Sequence, residues 1–194
     1  MDPNGEAWET PEDEKKANEL KCKAIEQIAF YQEQVAKYTQ RYDKAKSTWR
    51  KRNLAFKINY NNCLMEEVSQ GIDGLEEMGK SSKYFHFEEV ARGEDCFVKR
   101  EENSKDNIHI TIYSDDMIET RWHECKHVQD WLNGVFPITE HDFDSDEILG
   151  NLNPDVETRA YRSEFAFSRR RFDGVSLKRQ TYLYNIDGDQ RIEK

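Results

Sequence analysis

The sequence predicts an α+β fold: a small sheet with an edge strand beside a functional helix, plus a long N-terminal helix. Three stretches carry this prediction. From Pro11 to about Asn53, apolar residues recur at three- and four-residue steps. Ile108 to Tyr113 alternates isoleucine with polar residues, the period of a strand with one covered face. Ile118 to Leu132 reads as a helix and contains His123-Glu124-Cys125-Lys126-His127.

In chain order, residues 1–10 are polar and loop-like. Thr10 is a fair N-cap with Pro11 at the first helical position, and Glu12, Asp13 and Glu14 suit the positive end of a helix dipole. Leu20, Ala24, Ile28, Tyr31, Val35, Tyr38, Tyr42, Ala45 and Trp49 form one apolar stripe, and the basic residues from Lys44 to Arg52 suit the helix's negative end. Over 54–80, Gly71, Gly74 and Gly79 read as breakers, leaving a short helix near Cys63 to Gln70. Tyr84 to Val90 and Asp95 to Arg100 are short strand candidates, and Arg100 to Asn107 is a charged turn. Ser114, Asp115 or Asp116 caps the next helix, and Asn133-Gly134 stops it. Val135 to Asn153 is a long acidic stretch expected to cover a cleft. Its Asp142, Asp144 and Asp146 lack the glycine and glutamate of a calcium loop. Asn153-Pro154-Asp155 starts another helix, reaching about Arg171, and Gln180 to Ile186 reads as a final strand. The expected organisation is a linker (1–10), a helical segment (11–60) and a domain bearing the site (61–194).

Composition narrows the function. With 194 residues, 36% hydrophobic and 12% aromatic, the chain can build a core. A net charge of −10 disfavours nucleic acid as the main partner. No apolar run is long enough to span a bilayer, and the N-terminus has no signal-peptide pattern, so export would need another carrier. The four cysteines are widely spaced and read as small apolar residues.

The chemistry lies in H-E-x-x-H. Positions four apart on a helix share a face, so His123 and His127 can offer two imidazole nitrogens to one metal ion. Glu124 lies one step round, placed to hold water without being a ligand. This is the arrangement of a zinc peptidase. Cys125 falls about 200° from His123 and faces away. A catalytic zinc needs a third protein ligand and keeps a fourth position for water. Asp130 is close in sequence but short in reach, Glu140 and His141 lie in the acidic stretch, and Glu157 and Glu164 lie on the following helix. Asp130 and Asn133 stand where metzincins place glycine and a third histidine, which excludes that class.

Glu157-Thr158-Arg159-Ala160-Tyr161 resembles the E-x-x-A-Y element of small gluzincin-like peptidases, in which a glutamate from a following helix completes the site. By that resemblance Glu157 is the third ligand, and Ala160 lets the two helices approach. Glu164 is second choice, or orients a ligating histidine. Glu124 is the general base, and Tyr161 is the donor to the oxyanion, ahead of His141 and Arg159. The segment from about Ile108 to Phe167 resembles the metallopeptidase toxin domains at the C-termini of RHS-type bacterial polymorphic toxins. Asp2-Pro3-Asn4-Gly5 is similar to the D-P-x-G element that precedes such domains, and residues 1–10 would then be a linker from the repeat region. The resemblance implies a zincin-like fold whose edge strand pairs with substrate backbone. It also implies a zinc-dependent endopeptidase delivered into target cells without its own signal peptide, acting in their cytoplasm and neutralised in the producer by an immunity protein. The competing readings are a housekeeping cytoplasmic metallopeptidase, a binding module with a structural zinc site, and a metal-free scaffold.

Overall fold

The computed structural model describes residues 7–101, 108–135 and 154–168. Within them the chain forms α1 (Pro11–Asp43), α2 (Thr48–Lys80), β1 (Tyr84–Glu89), β2 (Phe97–Glu101), β3 (His109–Ser114), α3 (Ile118–Leu132) and α4 (Pro154–Ser168). This is α+β. The charged turn after Arg100, the acidic stretch after Val135 and the last strand expectation fall mainly or wholly outside the described residues.

The start of α1 follows the sequence. Thr10 and Asp13 form a capping box with Pro11 in the first turn. The same Asp13 carboxylate accepts from the Phe87 N–H at 2.8 Å and meets His86 Nδ1 at 3.1 Å, so one buried acid joins α1 to β1. Ala7–Glu9 are pinned rather than loop-like. Phe85 N–H donates to Ala7 O and Glu9 N–H donates to Phe85 O, while Trp8 stacks on Phe87.

Several expectations fail between Asp43 and Lys80. The first helix ends at Asp43, ten residues early, and Ser47 caps a second helix by accepting from Arg50 N–H. The stripe is therefore split by a turn, and Trp49, expected on its buried side, is 76% exposed. Arg50, Lys51 and Arg52 lie at the positive end of α2, not at the negative end of α1. The glycines do not break the chain, because α2 runs through all three. A Cβ at Gly71 would lie 2.1 Å from Trp122 Cζ2, and one at Gly74 would lie 2.5 Å from Gln129 Cδ. They are notches that seat α3 against α2, a close-approach use of glycine. The 60/61 boundary accordingly falls inside α2, and one hydrophobic cluster draws on α1, α2, the sheet, α3 and α4.

β3 is the central strand, not an edge. It pairs in parallel with β1 (Phe85↔Ile110) and antiparallel with β2 (Val98↔Ile112), giving the order β1-β3-β2. Ile110 and Ile112 are fully buried, and Thr111 on the other face is only 7% exposed. Alternation reports the faces of a strand but not its in-plane neighbours, so it does not distinguish a central strand from an edge. His109 is partly covered by stacking on Tyr84.

The α3 bounds agree with the sequence. Its N-cap is Met117, whose side chain makes no capping bond, in place of Ser114–Asp116; Asp115 instead accepts from Met117 N–H. At the other end Gly134 takes φ +69°, with Gly134 N–H donating to Trp131 O and Val135 N–H to Asp130 O. This is a Schellman stop. None of the four cysteines is in a disulfide; Cys125 is buried, as a small apolar residue would be, whereas Cys22 is exposed.

Candidate metal centre

Ten successive residues of α3, Arg121 to Asp130, are buried, although Arg121, Glu124, Lys126 and Asp130 carry acidic or basic groups besides the two imidazoles. Packing between α2, α4 and the sheet explains the burial, and burial of charge demands partners. Lys126 Nζ and Arg159 Nη2 both donate to Asp130 Oδ1, at 2.9 and 3.0 Å. Lys126 Nζ also donates to Gln129 Oε1, whose own amide donates to Gln70 O of α2. Trp122 Nε1 donates to Ser163 Oγ at 2.9 Å, and its ring stacks on Phe167. Ala160 is fully buried, leaving room for α3 beside α4. These contacts fix the rotation of α3 about its axis, and hence the direction of its histidines.

His123 Nε2 and His127 Nε2 stand 3.1 Å apart. Glu157 puts one oxygen 3.3 Å from His127 Nε2 and the other 3.6 Å from His123 Nε2. Ligand atoms about 2.0–2.1 Å from a tetrahedral ion stand about 3.3 Å from one another, so these three groups fit a shared cation. Donor atoms of His123, Glu124 and His127 all lie within 4.8 Å of one another, and this buried group could hold a metal ion. Glu164 Oε2 meets His123 Nδ1 at 2.9 Å, which directs Nε2 towards Glu157. Tyr161 lies edge-on to the His123 ring, centroids 4.6 Å apart.

The electrostatics match this convergence. Burial opposes a charged His123, but contacts with Glu157 and Glu164 and the nearby charge of Glu124 outweigh it and raise its pKa to about 10. Burial also pushes Glu157 upward, yet the two histidines hold it well below the usual carboxylate range. A cation placed among these groups takes over the role of that shared positive charge. Burial raises Glu124, with the histidines pulling the other way, and burial likewise raises Glu164 against the pull of His123. Glu124 is only 4% exposed, and the two imidazoles are the opposite charges that act on it.

The expected site residues His123, Glu124, His127, Glu157 and Tyr161 thus gather in one place. Asp130 does not join them, being held by Lys126 and Arg159, and Arg159 is engaged there rather than at the imidazoles. Cys125 is buried, which pushes its thiol pKa up. Glu140 and His141 lie outside the described residues. The supporting roles of Lys126, Gln129 and Ser163 were missed; a lysine and a glutamine on the buried side of a helix were the available signal.

The fold and site define an α+β protein with a buried His/Glu cluster that could hold a metal ion. No protein-family model matches the chain, and no curated protein or solved structure shows significant similarity to it. Among the described residues no helix is long and apolar enough to cross a membrane.

Proposed function

We propose that this chain is a zinc-dependent endopeptidase of the gluzincin-like kind, acting as the toxin domain of an RHS-type bacterial effector. The observation that carries the enzymatic part is the approach of His123, His127 and Glu157 to one point beside the buried Glu124. His123, His127 and Glu157 would hold zinc, which when bound supplies Lewis acidity towards water and the scissile carbonyl. Glu124 accepts the proton of the attacking water and returns it to the leaving amine. Its burial raises its basicity towards that task. Tyr161 donates to the oxyanion, and Glu164 keeps His123 in the tautomer that presents Nε2.

The structural-zinc reading needs a fourth protein ligand. Asp130 Oδ1 is held by Lys126 and Arg159, and Asp130 is outside the His123, Glu124 and His127 group, which favours the catalytic reading. The toxin reading rests on the sequence resemblance, and substrate and immunity partner follow from it.

Metal content measured side by side tests the site. Wild type and Glu124→Ala are expected to retain one zinc, and His123→Ala and Glu157→Ala to lose it. Cleavage of a denatured protein substrate is expected from wild type alone. Wild-type cleavage by Glu124→Ala would falsify the mechanism, and full zinc retention by Glu157→Ala would remove its ligand role.

A further inference from the structure

We propose that the projecting turn between α1 and α2 is a docking surface for an anionic phospholipid bilayer. From Lys37 to Lys57 the chain carries eight lysines and arginines against one acid, Asp43, in a protein whose net charge is −10. All eight are exposed, and none forms an ion pair with a described residue. Arg50, Lys51 and Arg52 occupy the opening turns of α2, whose first turn has no acid. A helix dipole disfavours cations there, so local helix stability does not account for them.

Apolar groups accompany the charge. Trp49 and Phe56 are 76% and 60% exposed, the highest values among the large hydrophobic side chains described. Seven residues apart, they share one side of α2. The turn also stands clear of the core: between Tyr31 and Asn61 only Ala45 and Leu54 are buried. From Asn61 back to Thr48, α2 extends about 20 Å.

Large aromatic side chains flanked by Lys and Arg suit the headgroup region of an anionic membrane, where rings enter the interface and cations meet lipid phosphates. The acidic remainder of the protein is repelled from such a surface, which orients the molecule turn-first. Single-stranded nucleic acid uses similar residue types, but in a groove with aromatics positioned for successive bases. Here the two rings are about 10 Å apart along the helix axis, on a protruding two-helix rod. That geometry favours a planar surface over a strand.

The test uses the full chain, sedimented with vesicles of phosphatidylcholine alone or mixed equally with phosphatidylglycerol. Anisotropy with a single-stranded oligonucleotide in the same buffer runs alongside. Binding to the mixed vesicles is expected to exceed binding to neutral ones by about tenfold and to weaken with salt. Combined Arg50→Glu, Lys51→Glu and Arg52→Glu changes are expected to remove the preference, and Trp49→Ala with Phe56→Ala to reduce binding, with unchanged circular dichroism and zinc content. Equal pelleting with both vesicle types, wild-type pelleting of the charge-reversed chain, or tighter binding to the oligonucleotide than to the mixed vesicles would overturn the proposal. None of these residues touches the metal centre, so the result is independent of peptidase activity.

Discussion

His123 has a partner on each ring nitrogen: Glu164 on Nδ1, and Glu157 with His127 around Nε2. The division assigns the two glutamates different work. Glu164→Gln preserves the shape but weakens the acceptor that fixes the tautomer. Zinc affinity is expected to fall about 10–100-fold, the usual cost of losing an outer partner, and a competition titration with a chelator measures it. Unchanged affinity would reduce Glu164 to a packing role. Glu124→Gln is expected to bind zinc normally while turnover drops by about 10²–10⁴-fold, the contribution of a positioned general base. Metal content and peptide hydrolysis on one preparation separate the two effects.

Helices here are located by small residues and single polar clamps as much as by apolar stripes. Gly71 sits against Trp122, so Gly71→Ala must displace a buried indole and is expected to destabilise by about 1–3 kcal/mol. At Gly79 the nearest atom to an added Cβ is Trp8 Nε1 at 3.4 Å, and Gly79→Ala is expected to be neutral or stabilising by up to about 1 kcal/mol. Urea titrations of both variants check the contrast. The clamp between α1 and β1 gives a pH signature. Burial pushes Asp13 upward, but bonds from Thr10 and Phe87 with His86 nearby hold it below its ordinary 3.8. Burial pushes His86 down, but Asp13 and Glu88 hold it above its ordinary 6.5. The aspartate's contribution is present above pH 3.8 and disappears as pH falls through its lowered value. The histidine's contribution is complete below pH 6.5 and disappears as pH rises through its raised value. The Tm difference between wild type and His86→Gln should therefore be greatest between those limits and shrink in alkali. A difference that grows with rising pH would contradict the clamp.

The candidate metal site joins α3 to α4, while Tyr31 of α1 donates to Ala166 O at 2.7 Å and ties α4 to the N-terminal helices. A ligand held across that junction stabilises the folded chain alone. At a zinc concentration one hundred times the Kd, the gain is about 2.7 kcal/mol. Thermal unfolding should shift upward with added zinc, and the shift should vanish in His123→Ala. Production of the chain in a bacterial cytoplasm is expected to halt growth, with rescue by Glu124→Ala. Growth unaffected by the wild-type chain would remove the toxin role and favour the housekeeping alternative.

The α3 span, its glycine stop and the spacing of His123, Glu124 and His127 were legible in the sequence because each depends on residues within a few positions. The approach of Glu157 was legible only through a motif resemblance, since 30 residues separate it from His127 and nothing local brings it back. Three-dimensional packing alone set the place of β3 between two strands, the passage of α2 through Gly71 and Gly74, and the turn that exposes Trp49. Periodicity reveals which side of an element is apolar. What covers that side, and whether a glycine ends a helix or lets another helix in, depends on partners far along the chain.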